Sequence, residues 1–175
     1  MVQTGAMDAT EILTDLARRP LDQLDLFWDE VGAAQLNAHP GGHPNSIAWL
    51  IWHTGREIDA QIAGLTGAGE SWAAGGWADR FGPSVPAGGH GFGHSSAQAR
   101  AVVVTDKDLL RDYLAVVTDS ATDYLGRLRP EDLGEVIDDH WDPPVTRGTR
   151  LVSIFADALQ HVGQAAYVAG FPERH

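Results

Sequence analysis

The chain has 175 residues, 43% of them hydrophobic, which suits one domain spanning residues 1–175 with its own core. It has no cysteine, which excludes disulfides, thiolate metal ligands, iron–sulfur clusters and a cysteine nucleophile together. Its 24 acidic against 12 basic residues give a formal net charge of -12, which argues against nucleic acid or an anionic membrane as partner and favours a small molecule.

The opening "MVQTGAMDATEIL" has neither a basic nor an apolar leader region. No segment approaches the roughly 18 to 20 consecutive apolar residues that a membrane span requires, so we expect a cytoplasmic protein. In "EILTDLARRPLDQLDLFWDEV", Leu13, Leu16, Leu24, Phe27 and Val31 trace a helical stripe. Pro20 removes one backbone donor and constrains Arg19, which predicts a kink or a split there. A second helix follows a cap at Asn45 or Ser46, with Ile47, Leu50, Ile51, Ile58, Ile62 and Leu65 recurring at threes and fours.

Residues 67–105 read as a long loop. Ten of the twenty glycines fall between Gly64 and Gly93, among Trp72, Trp77, Phe81 and Phe92. Structureless connections beyond about 12 to 15 residues are uncommon in compact domains, and four large rings call for burial, so we expect a packed cover rather than a mobile insertion. A third helix starts at a cap on Thr105 or Asp106. It carries Leu110, Tyr113, Leu114, Val117, Ala121, Tyr124 and Leu128 on one stripe and ends before Pro130. Pro143 and Pro144 in "VIDDHWDPPVTRGTR" argue against a regular strand there, and no sheet is expected. The fourth helix begins near Thr149 and closes at "GFP", with Gly170 as a left-handed cap and Pro172 beyond it. Four helices of about 20 residues without strands predict an all-α fold, an antiparallel four-helix bundle.

Two helices carry polar residues where core residues belong. Along the fourth, Ile154, Ala158, Ala165 and Val168 face inward, and His161 shares their stripe with Asp157 at its edge. The second offers a counterpart, His53 and Glu57, also four apart. A buried carboxylate costs several kcal/mol unless it is paired or bound to a cation. Side chains from facing helices that converge in a bundle are how such folds build metal sites. We take His53, Asp157 and His161 as candidate ligands, with Glu57 as a fourth ligand or an acceptor behind them. Gln164, one turn past His161, is placed to bind a ligand or a water. Nitrogen and oxygen donors suit a divalent metal, zinc, nickel, iron or manganese, with zinc or nickel first, and three ligands with an open position are the catalytic pattern for zinc. The competing reading is a satisfied Asp–His contact with no metal. His90 and His94 in "HGFGH" lie among too many glycines for a helix, and His39, His43 and His140 lie in turn-like sequence, so none of them is taken as a ligand. Gly55 and Gly163 point away from the histidines two residues before them and suit close packing with another helix or subunit.

"NSIAWLIWH", "WAAGGWADRFG", "WDPPV" and "DALQHVGQAAYVAG", in this order and spacing, resemble the DinB-like (DinB/YfiT-like) superfamily over nearly the whole chain. They are most similar to its branch of thiol-dependent S-transferases, which includes mycothiol-dependent maleylpyruvate isomerase and the bacillithiol transferases. The resemblance implies a four-helix bundle holding a divalent metal through His53, Asp157 and His161, and a low-molecular-weight, mycothiol-like thiol as cosubstrate. It also implies a homodimer. The chain departs from the family pattern at Asp157, where relatives often carry Glu or His, and at Ala169, where many carry an arginine. On this reading Glu57 and Gln164 are the catalytic candidates, and Trp49, Trp52, Trp77 and Tyr167 the candidate substrate contacts. A metal-dependent hydrolase using Glu57 as base and a non-catalytic metal-binding stress protein are the alternatives.

Overall fold

The structure, a computed structural model, describes residues 7–171. It is mostly helical, as expected. Eight α-helices run in order: α1 (Ala9–Asp25), α2 (Ala33–Leu36), α3 (Ile47–Thr66), α4 (Ser71–Ala74), α5 (Trp77–Phe81), α6 (Ser96–Ala101), α7 (Lys107–Leu125) and α8 (Arg147–Ala169). The four long ones share one core: α3 packs on α7 and α8, and α1 packs on the same two. Leu24, Ile51, Leu114, Leu125, Leu151 and Phe155 are fully buried between them.

Local chemistry sets the helix starts. Asp8 caps α1 by accepting from the backbone of Thr10 and Glu11, while the Glu11 carboxylate accepts from the Asp8 N–H at 2.8 Å. Ser46 caps α3 through Trp49 N at 3.1 Å, Asp106 caps α7, and Thr146 caps α8. Of the two residues proposed for each of the second and third caps, Ser46 and Asp106 serve.

Several expectations need correction. Pro20 does not split the first helix. α1 is continuous through it, with the ring buried in the core, and the helix stops at Asp25 before a 3-10 turn at Trp28–Glu30. The third helix ends at Leu125, with Gly126 as its cap, rather than running to Pro130. The fourth starts at Arg147, two residues before Thr149, and Gly170 is right-handed at φ -72°, so it is not a left-handed cap; Pro172 lies outside the described residues. Residues 136–146 do form a sheet. β1 (Val136–Asp138) pairs antiparallel with β2 (Val145–Thr146), and the two prolines sit in the connection between the strands, where no ladder donor is required.

Residues 67–105 hold α4, α5 and α6. Three of the four expected rings are buried there: Trp72 and Trp77 pack on Tyr113 of α7 with centroids 5.2 and 5.1 Å apart, and Phe81 stacks on Trp72. Phe92 does the opposite and is 83% exposed. The anchor is polar. Asp59 of α3 accepts the N–H groups of Ser71 and Trp72 at 2.8 and 2.7 Å, capping α4 from outside, and takes the Tyr113 hydroxyl at 2.7 Å. Arg56, 3% exposed, pairs with Glu70 at 2.8 Å, lies over the Trp72 ring and donates to Gly89 O at 3.0 Å. Gly55 lies against α7, as expected: a Cβ there would meet the Tyr113 ring at 2.7 Å. Gly163 borders open space.

Candidate metal centre

α3 and α8 bring His53, Asp157 and His161 together. One nitrogen or carboxylate oxygen from each lies within 4.8 Å of the others. Their register explains it. His53 follows the Ser46 cap by two turns on the face that meets α8, and Asp157 and His161 are successive turns of one α8 stripe above buried Ile154 and Ala158. His53 is 4% exposed, whereas the Asp157 side chain is 49% exposed, so the carboxylate stands at the wet edge rather than inside the core.

Both imidazoles are held at Nδ1. His53 Nδ1 contacts the His90 carbonyl oxygen, which only accepts, so Nδ1 carries the proton and Nε2 offers a lone pair. His161 Nδ1 donates to Gln164 Oε1 at 3.1 Å, leaving Nε2 facing Asp157 Oδ2 at 3.5 Å. Two imidazoles, each with Nδ1 engaged, and one carboxylate make a nitrogen–nitrogen–oxygen donor set with oriented ligands. This set fits a divalent cation. Burial, reinforced by the His161 charge, holds His53 below the ordinary histidine range and favours the neutral form that a metal needs.

Glu57 is not one of the converging groups. Its Oε1 lies 4.0 Å from His53 Nδ1, on the protonated side of the ring, and 2.6 Å from His90 Nδ1, while Oε2 accepts from Gln61. Gln164 turns to His161 rather than into the cavity. The cavity beside the cluster, about 470 Å³, is lined by Trp49, Glu57, Phe92, His94 and the three candidate ligands, among others. Trp49 lies flat on His53 and its Nε1 donates to His94 Nδ1 at 3.2 Å. Trp52 and Trp77 are buried, and Tyr167 is 73% exposed against Phe171; none of the three lines this cavity.

His90 and His94 are not among the converging groups, as expected, but with Gly91 they border His53 and its cavity, a role that sequence spacing does not reveal. Their spacing within a glycine-rich stretch carries no helical signal, and the decisive contact of His90 is made by its backbone oxygen. A second acidic group, Asp138, Asp139 and His140, lies on the hairpin and is largely exposed.

The family model described as the DinB superfamily matches residues 15–165. The chain belongs to the DinB superfamily. Among solved structures it is similar to a conserved protein from Enterococcus faecalis, with 36% identity over 94% of this chain and 96% of that one and a TM-score of 0.85. Comparison with curated proteins finds no match. Membership in the DinB superfamily agrees with the family resemblance of the four motifs, all of which fall wholly or largely within the matched region.

Proposed function

We propose that the protein is a divalent-metal-dependent S-transferase, with the four long helices forming the DinB-type bundle that holds the metal. It joins a low-molecular-weight thiol of the mycothiol type to a small electrophile. The observation that carries the reading is the convergence of His53, Asp157 and His161 beside a cavity of about 470 Å³, with each imidazole's Nδ1 already engaged. A bound zinc or nickel ion supplies Lewis acidity that brings the pKa of a neighbouring thiol or water toward neutrality. The chain's own residues do the rest. His53 and His161 present Nε2, Asp157 contributes negative charge, and the His90 carbonyl and Gln164 amide oxygen keep the ring protons on Nδ1. Glu57, lining the same cavity, is the carboxylate placed to take the proton an incoming thiol releases. Trp49 and Phe92 supply apolar surface for the electrophile. The absence of cysteine suits a protein that imports its thiol.

One observation favours a second reading. The Glu57 carboxylate lines the cavity, its Oε1 2.6 Å from His90 Nδ1, and would serve as the base of a hydrolase acting on water.

Elemental analysis of protein purified without chelator or a nickel column tests the first step: about one metal ion per chain, lost in His161→Ala, is expected. Substoichiometric metal that His161→Ala leaves unchanged would sink both enzymatic readings. Metal-dependent consumption of mycothiol or bacillithiol with an electrophile then separates transferase from hydrolase, which needs no thiol.

A further inference from the structure

We propose that residues 89–94 form a strap that sets the tautomer of His53, with His90, Gly91 and Arg56 as positioning residues for the metal site. The inference rests on the metal reading above but concerns the chain's own hydrogen bonding.

The strap crosses α3 directly over His53 and is fixed at both ends. At one end Arg56 Nε donates to Gly89 O at 3.0 Å, and this guanidinium is itself held by Glu70 and Tyr113. At the other, the Trp49 indole donates to His94 Nδ1 at 3.2 Å, and His94 N closes a turn on Gly91 O at 3.1 Å. Between them the His90 carbonyl reaches His53 Nδ1.

That approach depends on one glycine. Gly91 has φ +95°, and a Cβ there would stand 2.9 Å from His53 Nδ1, 2.9 Å from Trp52 Cζ3 and 3.3 Å from Trp49 Cζ2. Backbone conformation and space both demand glycine, so any side chain at 91 lifts the His90 carbonyl off the imidazole. Without that acceptor the Glu57 carboxylate, 4.0 Å from Nδ1 and beyond hydrogen-bond reach, is what remains beside it, and an isolated neutral histidine favours Nε2. With Nδ1 engaged by the His90 carbonyl, Nε2 is the nitrogen left to serve the cluster. A main-chain oxygen in a loop thus decides whether a core histidine presents a lone pair or a proton.

Long-range proton–nitrogen NMR of the metal-free, full-length protein at pH 7.5 reads the tautomer, with His53→Gln to assign the signals. Competition against a chromogenic chelator reads zinc affinity in parallel. In the wild type His53 carries its proton on Nδ1. Gly91→Ala, folded by circular dichroism, loses that pattern and binds zinc roughly ten- to a hundredfold more weakly. Gly88→Ala, with no positive φ and no atom within 4 Å, changes neither. His90→Ala keeps the carbonyl and therefore the tautomer. A wild-type His53 protonated on Nε2 overturns the proposal, as does a Gly91→Ala protein with tautomer and zinc affinity intact. Should Gly91→Ala not fold, loss of the tautomer in His90→Ala overturns it instead, because the ring rather than the main chain would then be acting. A wild type with the expected tautomer but no zinc binding supports the strap and removes the metal reading.

Discussion

Trp49 lies flat on His53, with ring centroids 4.5 Å apart and planes 24° from parallel, and meets His161 edge-on at 6.4 Å. Of the tryptophans, Trp49 is therefore the one that stacks on a candidate ligand. Titration with nickel or cobalt should quench the protein's fluorescence, and Trp49→Phe should remove most of that metal-dependent change. Trp141→Phe, on the exposed hairpin, should leave it in place. Equal quenching in Trp49→Phe and wild type would place the metal elsewhere.

Asp157 and Gln164 contact the same imidazole from opposite sides and should fail differently. Gln164→Ala removes an orienting contact at an exposed position, and a loss of zinc affinity of roughly tenfold is expected. Asp157→Asn removes a charge from the donor set itself and should cost clearly more. Calorimetric titration with zinc decides; equal losses would reduce Asp157 to an orienting partner.

The two mid-helix glycines predict opposite signs. Gly55→Ala drives a methyl into the Tyr113 ring and should destabilise the protein by about 1–3 kcal/mol, an overpacking cost that exceeds the helix propensity it gains. Gly163→Ala meets nothing within 4 Å and should stabilise by about 0.5–1 kcal/mol. Urea unfolding of both variants checks the pair, and a stabilised Gly55→Ala would contradict the packing described.

Tyr113 donates to Asp59 and accepts from Arg56, so Tyr113→Phe should cost about 1–3 kcal/mol through the partners it leaves short. Burial first, then the Asp59 charge, push the phenol well above its ordinary value. The native state thus holds a proton that the unfolded chain releases near pH 10, so this contribution is complete below about pH 10 and is lost as pH rises beyond it. Wild-type stability should fall steeply above pH 10, and more shallowly in Tyr113→Phe. Parallel slopes would assign the alkaline loss to other groups.

The parts of the site that follow helical spacing were readable in advance. His53 with Glu57 and Asp157 with His161 stand four residues apart on core-facing stripes, and that period alone implied that two helices converge. What Glu57 does was not readable, because its partner His90 lies 33 positions away in a segment without period. The His90 carbonyl has no signature in sequence at all, since every residue has one. Similar reasons explain the fold-level misses. Pro143 and Pro144 argue against strands but occupy the connection between them, and Pro20 is accommodated on the buried face of a continuous helix. Trp52 and Trp77 looked like cavity walls because large rings beside a site and large rings in a core read alike.

The graded exposure of the three candidate ligands gives the cluster a wet side and a dry side. Asp157 faces water, His161 is less open at 18%, and His53 is closed off beneath Trp49 and the strap. The cavity beside the cluster is walled by α3, the 91–94 segment and α8, with the carboxylate on the wet side. The Asp157 carboxylate is thus the group of the cluster that solvent reaches most readily, and the His53 imidazole the one it reaches least.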